Sequence, residues 1–305
     1  MDDATIGTDY LEYLALATEI AGIEAPKLVQ PSDEDIILGR RRSHYLEWGS
    51  PDAPPIVFLH GGGLTAHTWD LVCLSLCETY RCLALDLRGH GDSEWSREMD
   101  YSIESYASDV RALVETLDLG APVLVGQSLG GIVSVRYAEE HPLTALVVVD
   151  VGPVTVQTGG SRIRQFMQTD AELDSVDEFV QRALEFNPRR HEGLLRRSIM
   201  NNLTQLVDGK WTWKYDRRHH GRIDLERFSQ ERAEIWANVG RIACPALLAR
   251  GVESDVLPPD DAVAFADALP NGRLVEIEGA GHTVQGDNPR ALVRAITDFL
   301  GEVAA

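Results

Sequence analysis

Six short, almost unbroken apolar runs recur along the chain: PIVFLH (55–60), CLALDL (82–87), PVLVGQ (122–127), ALVVVD (145–150), PALLARG (245–251) and RLVEIEG (273–279). A strand wetted on one face alternates apolar with polar residues. These runs do not alternate, so both of their faces must be buried, as in a parallel sheet covered by helices on each side. Helical periodicity fills the gaps between them, near 68–78, 103–117, 129–141, 259–268 and 288–300. Strand and helix alternating at this spacing predict an α/β fold with a doubly wound, mostly parallel sheet. DIIL and HYLEW, flanking the basic turn GRRRS, add an antiparallel pair at its start.

The alternation fails between 152 and 241, where stretches rich in Arg, Glu and Trp replace strands. This segment reads as a helical insertion between two strands. The chain thus divides into an N-terminal helical extension (1–34), a core made of 35–151 and 242–305, and the insertion 152–241. Within the extension, Tyr10, Leu11, Leu14, Ala17 and Ala21 form one apolar stripe on a helix over 9–22. Three uses are open for that stripe: packing on the body, covering a pocket, or joining two copies into a homodimer.

Charge narrows the partners. The 305 residues carry a formal charge of −20, which disfavours nucleic acid and anionic membrane surfaces for the same Coulombic reason. No apolar run approaches the roughly 20 residues of a membrane-spanning helix. The opening MDDATIGTDY is acidic and lacks the form of a signal peptide. The insertion holds 15 Lys and Arg against 13 Asp and Glu, and the rest of the chain 13 against 35, so the acidity belongs to the body. Cys73, Cys77, Cys82 and Cys244 match neither a disulfide framework nor a metal-site spacing. Reduced, buried thiols suit a cytoplasmic protein that meets a small-molecule substrate.

The chemistry centres on Gly126-Gln127-Ser128-Leu129-Gly130, which follows the strand PVLV and opens the helix GIVSVRYAEEH. This is a G-x-S-x-G turn in the strand–turn–helix context it requires. A neutral serine hydroxyl is a poor nucleophile and needs a base held by a carboxylate. His282, in GAGHTVQGDNP directly after the last strand, is the candidate base. His60 and His90, beside glycines, are better suited to bracing loops, and His191, His219 and His220 lie in the insertion. For the carboxylate, Asp255 in ARGVESDVLPP is favoured over Asp150, which ends ALVVVD. The loop LHGGGL (59–64) offers the backbone N–H of Gly62 or Gly63 to a developing oxyanion, with the N–H of Leu129 as second donor. It lacks the G-K-[ST] of a phosphate-binding loop.

These motifs together resemble the α/β-hydrolase-fold serine hydrolases over roughly residues 35–300. They are the H-G-G-G loop, DLRGHGDS (86–93), GQSLGG (126–131), RGVESD (250–255) and GAGH (279–282). The resemblance implies an eight-stranded sheet, 152–241 as a helical cap over the active site, and a structural rather than catalytic role for 86–93. It also implies a triad of Ser128, Asp255 and His282 that needs neither cofactor nor metal. Gln127 stands where that family often has His, and the leading helix is an addition. Relatives that open epoxides or remove halide use an aspartate nucleophile, and position 128 is serine. Acyl transfer from a small ester or lactone is therefore favoured. Amide or C–C hydrolysis, or a low-turnover ligand receptor on the same fold, are the alternatives.

Substrate selection should fall to the insertion. Trp211, Trp213 and Tyr215 alternate with polar residues and share a face, either as a pocket wall or as packing. Gln127, Arg189 and Arg190 are further pocket candidates, the arginines as a carboxylate clamp. Arg supplies 25 of the 28 basic residues, however, so a solvated helix face is the plainer reading of Arg189, Arg190, Arg196 and Arg197.

Overall fold

The computed structural model describes residues 10–23, 27–152, 172–188, 190–220 and 225–304. Eight strands form the main sheet: β1 (Ser32–Leu38), β2 (Arg41–Trp48), β3 (Pro55–Leu59), β4 (Arg81–Leu85), β5 (Val123–Gln127), β6 (Ala145–Val149), β10 (Ala246–Gly251) and β11 (Gly272–Ile277). Their spatial order is β1-β2-β4-β3-β5-β6-β10-β11. β2 runs antiparallel to β1 and β4, and the pairs from β4 to β11 are parallel.

The unbroken apolar runs follow from this layering. Side chains alternate across a strand, and here both faces meet helices. Val57, Leu59, Leu83, Leu124, Leu146 and Leu248 enter one core, packed against residues of helices Ile103–Thr116, Leu129–Ala138 and Pro259–Ala268. Their neighbours Ile56, Phe58, Ala84, Val125, Val147 and Leu247 enter the other, against helices Asp70–Leu76 and Pro289–Val303. Cys73, Cys77 and Cys82 are buried in that second core, and Cys244 is half-buried; all four are free thiols. Among the described residues, no helix is long and apolar enough to cross a membrane.

The sequence pattern points to helices alone between β6 and β10. The structure adds three short strands there, β7 (Glu172–Leu173), β8 (Leu203–Gln205) and β9 (Trp211–Trp213), in the antiparallel order β7-β9-β8. Strands of two or three residues are too short to show a period of two. Helices Val176–Phe186 and Glu192–Asn201 pack with them around a separate core that includes Phe179, Leu195, Ile199, Trp213 and Tyr215. Backbone bonds tie this unit to the body: Gly91 N–H donates to Lys214 O and Asp216 N–H to Gly89 O, each at 2.7 Å.

The leading helix, Tyr10–Ala21, buries Leu14 and Ala17. The ring of Tyr10 lies 6.2 Å from that of His67 in the body. The Arg197 guanidinium sits 5.2 Å from the ring centroid of Tyr13 and 5.8 Å from that of Tyr10. The helix therefore packs within the chain, bridging body and insertion through cation–π contacts.

Residues 86–93 form a buried brace. Asp86 accepts from the N–H groups of Ala66 (2.6 Å) and Asp92 (2.9 Å) and from His44 Nδ1 (2.7 Å). A Cβ at Gly91 would sit 2.1 Å from the Asp86 carboxylate, so only glycine fits. Burial works against the Asp86 charge, but the His44 hydrogen bond and nearby positive charge outweigh it and lower its pKa to about 2. Burial likewise opposes the His44 charge, but Asp86, with Asp33 on the other nitrogen, raises its pKa to about 9. A histidine raised from 6.5 stabilises the fold fully below that pH and loses its contribution as pH climbs through 9. Wild type should therefore lose on the order of 2–3 kcal/mol between pH 6.5 and 10 from this pair. Urea titrations at several pH values should show a flatter profile for His44→Asn; an unchanged slope would remove the assignment.

Candidate active site

Ser128 occupies the one-residue turn between β5 and helix Leu129–Ala138, at φ 52° and ψ −115°. A side chain in that backbone region is strained, and it persists only because the surroundings impose it. The tightness is visible at the flanking glycines. A Cβ at Gly126 would lie 2.2 Å from Gly130 O, and one at Gly130 would lie 2.3 Å from Leu59 O. Ser128 thereby stands at the C-terminal edge of the sheet and lines a cavity of about 360 Å³, within the range of small-ligand sites.

His282 lines the same cavity from the loop after β11. Its Nδ1 donates to Asp150 Oδ2 at 2.8 Å. Asp150, not Asp255, is thus the carboxylate that the structure brings to the imidazole. Asp150 is fully buried and sits at φ 50° just past β6. It also accepts from Gly251 N–H at 3.0 Å and from Ser254 Oγ at 2.5 Å. The loop after β10, expected to supply the acid, instead donates hydrogen bonds to it. Asp255 lines the cavity without that bond to His282. With Nδ1 protonated against a carboxylate, Nε2 is left as the acceptor.

Gln127 is buried beneath this imidazole. Its amide Nε2 donates to His282 O at 3.0 Å and lies 3.3 Å from His282 Nε2. Gly61 makes room for it, since a Cβ there would fall 2.2 Å from Gln127 Oε1. A larger residue at 61 would displace the amide that steadies the base.

The loop after β3 closes the other side. Gly62 and Gly63 line the cavity, and the space where a Gly62 side chain would stand is open. Gly63 has φ 77°, a left-handed conformation that favours glycine. Among the described residues, no acceptor takes the N–H of Gly62, Gly63 or Leu129. His60 is a fixed brace: Leu87 N–H donates to its Nε2 at 3.0 Å, and its Nδ1 faces Gly61 O at 2.8 Å. Burial, opposed by Asp86, keeps its pKa low and its ring neutral.

The insertion supplies the remaining wall. Trp213 and Tyr215 line the cavity and also belong to the insertion's own core, while Trp211 packs at the edge of that core. Arg190 lines the cavity with only 14% of its side chain exposed, so it is not part of a solvated helix face. Arg189 lies outside the described residues. Asn187, just past helix Val176–Phe186, and Ser198, on helix Glu192–Asn201, are cavity residues that carry no sequence signal, being single polar positions. Among the described residues, His44, Asp86 and Asp92 bring ligand-type atoms within 4.8 Å of one another. Those atoms are already engaged, His44 with Asp86 and Asp92 with Lys214.

Comparisons with known proteins identify the family. The model of the alpha/beta hydrolase family matches residues 56–295. The esterase Rv0045c of Mycobacterium tuberculosis is 33% identical over 98% of each chain. A solved structure of that esterase superposes with a TM-score of 0.79 at 31% identity, covering 97% of this chain and 99% of the other. Similarity extends to proteins of other names, such as epoxide hydrolase 1 of Caenorhabditis elegans, 26% identical over 92% of this chain and 73% of that one. The match over residues 56–295 and the near full-length similarity to the mycobacterial esterase show that the chain belongs to the alpha/beta hydrolase family.

Proposed function

We propose that the protein hydrolyses a small carboxylic ester or lactone through an acyl-enzyme on Ser128, with His282 as base and Asp150 as orienting acid. The observation that carries this reading is the hydrogen bond from His282, which shares its cavity with the strained Ser128, to the buried Asp150. The name of the mycobacterial relative, an esterase, supports the bond type. His282 Nε2 accepts the Ser128 proton as Oγ attacks the carbonyl carbon. The N–H groups of Gly62, or its neighbour Gly63, and Leu129 receive the oxyanion; removing one such donor typically costs roughly 3 kcal/mol of transition-state stabilisation. The tetrahedral adduct collapses, His282 returns the proton to the leaving alcohol, and the acyl group stays on Ser128. Water, deprotonated by His282, then attacks the acyl carbon and releases the acid. The segment 152–241 serves as the cap that shapes the acyl pocket.

A fluorophosphonate should label Ser128 and stop turnover of aryl esters. A panel of aryl esters, lactones, amides and β-diketones, run on wild type and Ser128→Ala, should show serine-dependent cleavage confined to the esters and lactones. An unlabelled Ser128 in folded protein would sink the acyl-enzyme reading.

A further inference from the structure

Arg190 is the only lysine or arginine among the described residues that line the cavity. Its ion pair with Asp287 is loose and leaves its Nε donor unsatisfied. Asp287 Oδ1 stands 3.7 Å from Arg190 Nε, beyond hydrogen-bond reach, and that Nε is buried with no hydrogen-bond partner. The Asp287 carboxylate is already engaged elsewhere. Its Oδ1 accepts from Asn187 Nδ2 at 3.1 Å and its Oδ2 from Gly281 N–H at 3.0 Å. Asp287 thus anchors the loop that carries His282 and leaves the guanidinium under-used.

The position of the guanidinium is equally specific. A Cβ at Gly286 would fall 2.5 Å from Arg190 Nη2, so the fork lies against the turn that follows His282. Burial pushes the Arg190 pKa down, against the pull of Asp287, although guanidinium remains charged at neutral pH. A buried, planar, five-donor cation without matched acceptors favours an oxyanion that can take two parallel hydrogen bonds. Glu253 and Asp255 also line the cavity, but each has partners of its own.

Building on the Ser128 acyl-enzyme reading, we propose that Arg190 is the anchor of an anion subsite, and that the preferred substrates are esters carrying a free carboxylate. A single guanidinium, already beside Asp287, offers one hydrogen-bonding fork, which suits one carboxylate. A phosphate dianion would call for a second cation, and no other lysine or arginine among the described residues lines the cavity. Arg190 binds the remote carboxylate while Ser128 attacks the ester carbonyl, so the anion contributes to positioning rather than to bond making.

The test compares 4-nitrophenyl hydrogen adipate with its neutral methyl ester on wild type, Arg190→Gln and Arg190→Lys. Wild type should prefer the half-ester in kcat/KM by about 10-fold or more. Arg190→Gln should lower the half-ester-to-diester ratio by about 30-fold, and Arg190→Lys, which keeps the charge but not the fork, by less. Free adipate should inhibit neutral-ester cleavage competitively in wild type, a measurement that needs no variant. Absence of half-ester preference in wild type, or of adipate inhibition, would overturn the subsite. So would an unchanged ratio in Arg190→Gln. Serine-independent cleavage of the neutral ester, seen with Ser128→Ala, would instead overturn the acyl-enzyme reading on which the subsite rests.

Discussion

Ser128→Gly is expected to abolish ester turnover while making the protein more stable. Removing the nucleophile of a serine triad lowers kcat by roughly 10⁶-fold. The gain in stability comes from the backbone. Ser128 sits at φ 52° and ψ −115°, where a side chain costs on the order of 1–3 kcal/mol. Glycine adopts such angles freely, at an entropic cost of roughly 0.5–1 kcal/mol. The net expectation is a gain of about 1 kcal/mol, or about 2–4 °C in thermal midpoint. Ser128→Ala is the control, because it removes the hydroxyl but keeps Cβ and the strain. Calorimetry should rank Ser128→Gly above Ser128→Ala. Equal midpoints for the two would remove strain from the account, and residual turnover in both would remove the nucleophile.

Asp150→Asn is expected to lower kcat on a neutral ester by roughly 10⁴-fold, in line with loss of the orienting carboxylate in other triads. The mechanism is tautomeric. An amide N–H turned toward Nδ1 forces the proton onto Nε2, which can then no longer accept from Ser128. Asp255→Asn should lower kcat by less than 10-fold, because the carboxylate bonded to His282 Nδ1 belongs to Asp150. Steady-state kinetics on the two variants decides between them. Collapse in Asp255→Asn with near-normal activity in Asp150→Asn would reverse the assignment. Since Asp150 also accepts from Gly251 and Ser254, circular dichroism on Asp150→Asn must show native structure for the comparison to count.

That Asp150 rather than Asp255 bonds His282 has a clear origin. Asp150 and Asp255 both lie between Ser128 and His282 in the chain and both follow strands of the sheet, so triad order cannot separate them. β6 and β10 are neighbours in parallel register, with Val149 beside Ala249. Which aspartate reaches the imidazole then depends on how each loop leaves its strand. Asp150 turns at once, at φ 50°, a conformation that aspartate tolerates better than most residues. Asp255 lies four residues beyond the end of β10, past Ser254, whose hydroxyl bonds Asp150. Arg190 lines the cavity as a pocket candidate should, and the solvated-face reading of it fails for a related reason. An arginine-rich helix reads as solvated by composition, whereas its burial depends on a turn nearly a hundred residues away, at Gly286.

Local chemistry alone determined much of this protein. Apolar runs of strand length point to strands buried on both faces, and their alternation with helices points to a mostly parallel sheet. The strand order and the half-buried edge strand β11 come from the structure. The serine turn is legible because its glycines are needed within a few residues of Ser128, where Cβ atoms would strike Gly130 O and Leu59 O. His282 is legible from its place directly after the last strand, in a loop where Gly279 takes φ 66°. Only the tertiary structure decided which aspartate bonds His282, the short strands of the insertion, and the docking of the leading helix by Tyr10, Tyr13 and Arg197. Those depend on groups far apart in the chain whose meeting is set by loop direction and packing. No pattern of period two or 3.6 encodes that meeting, because periodicity reports which face of an element is buried and not what it is buried against.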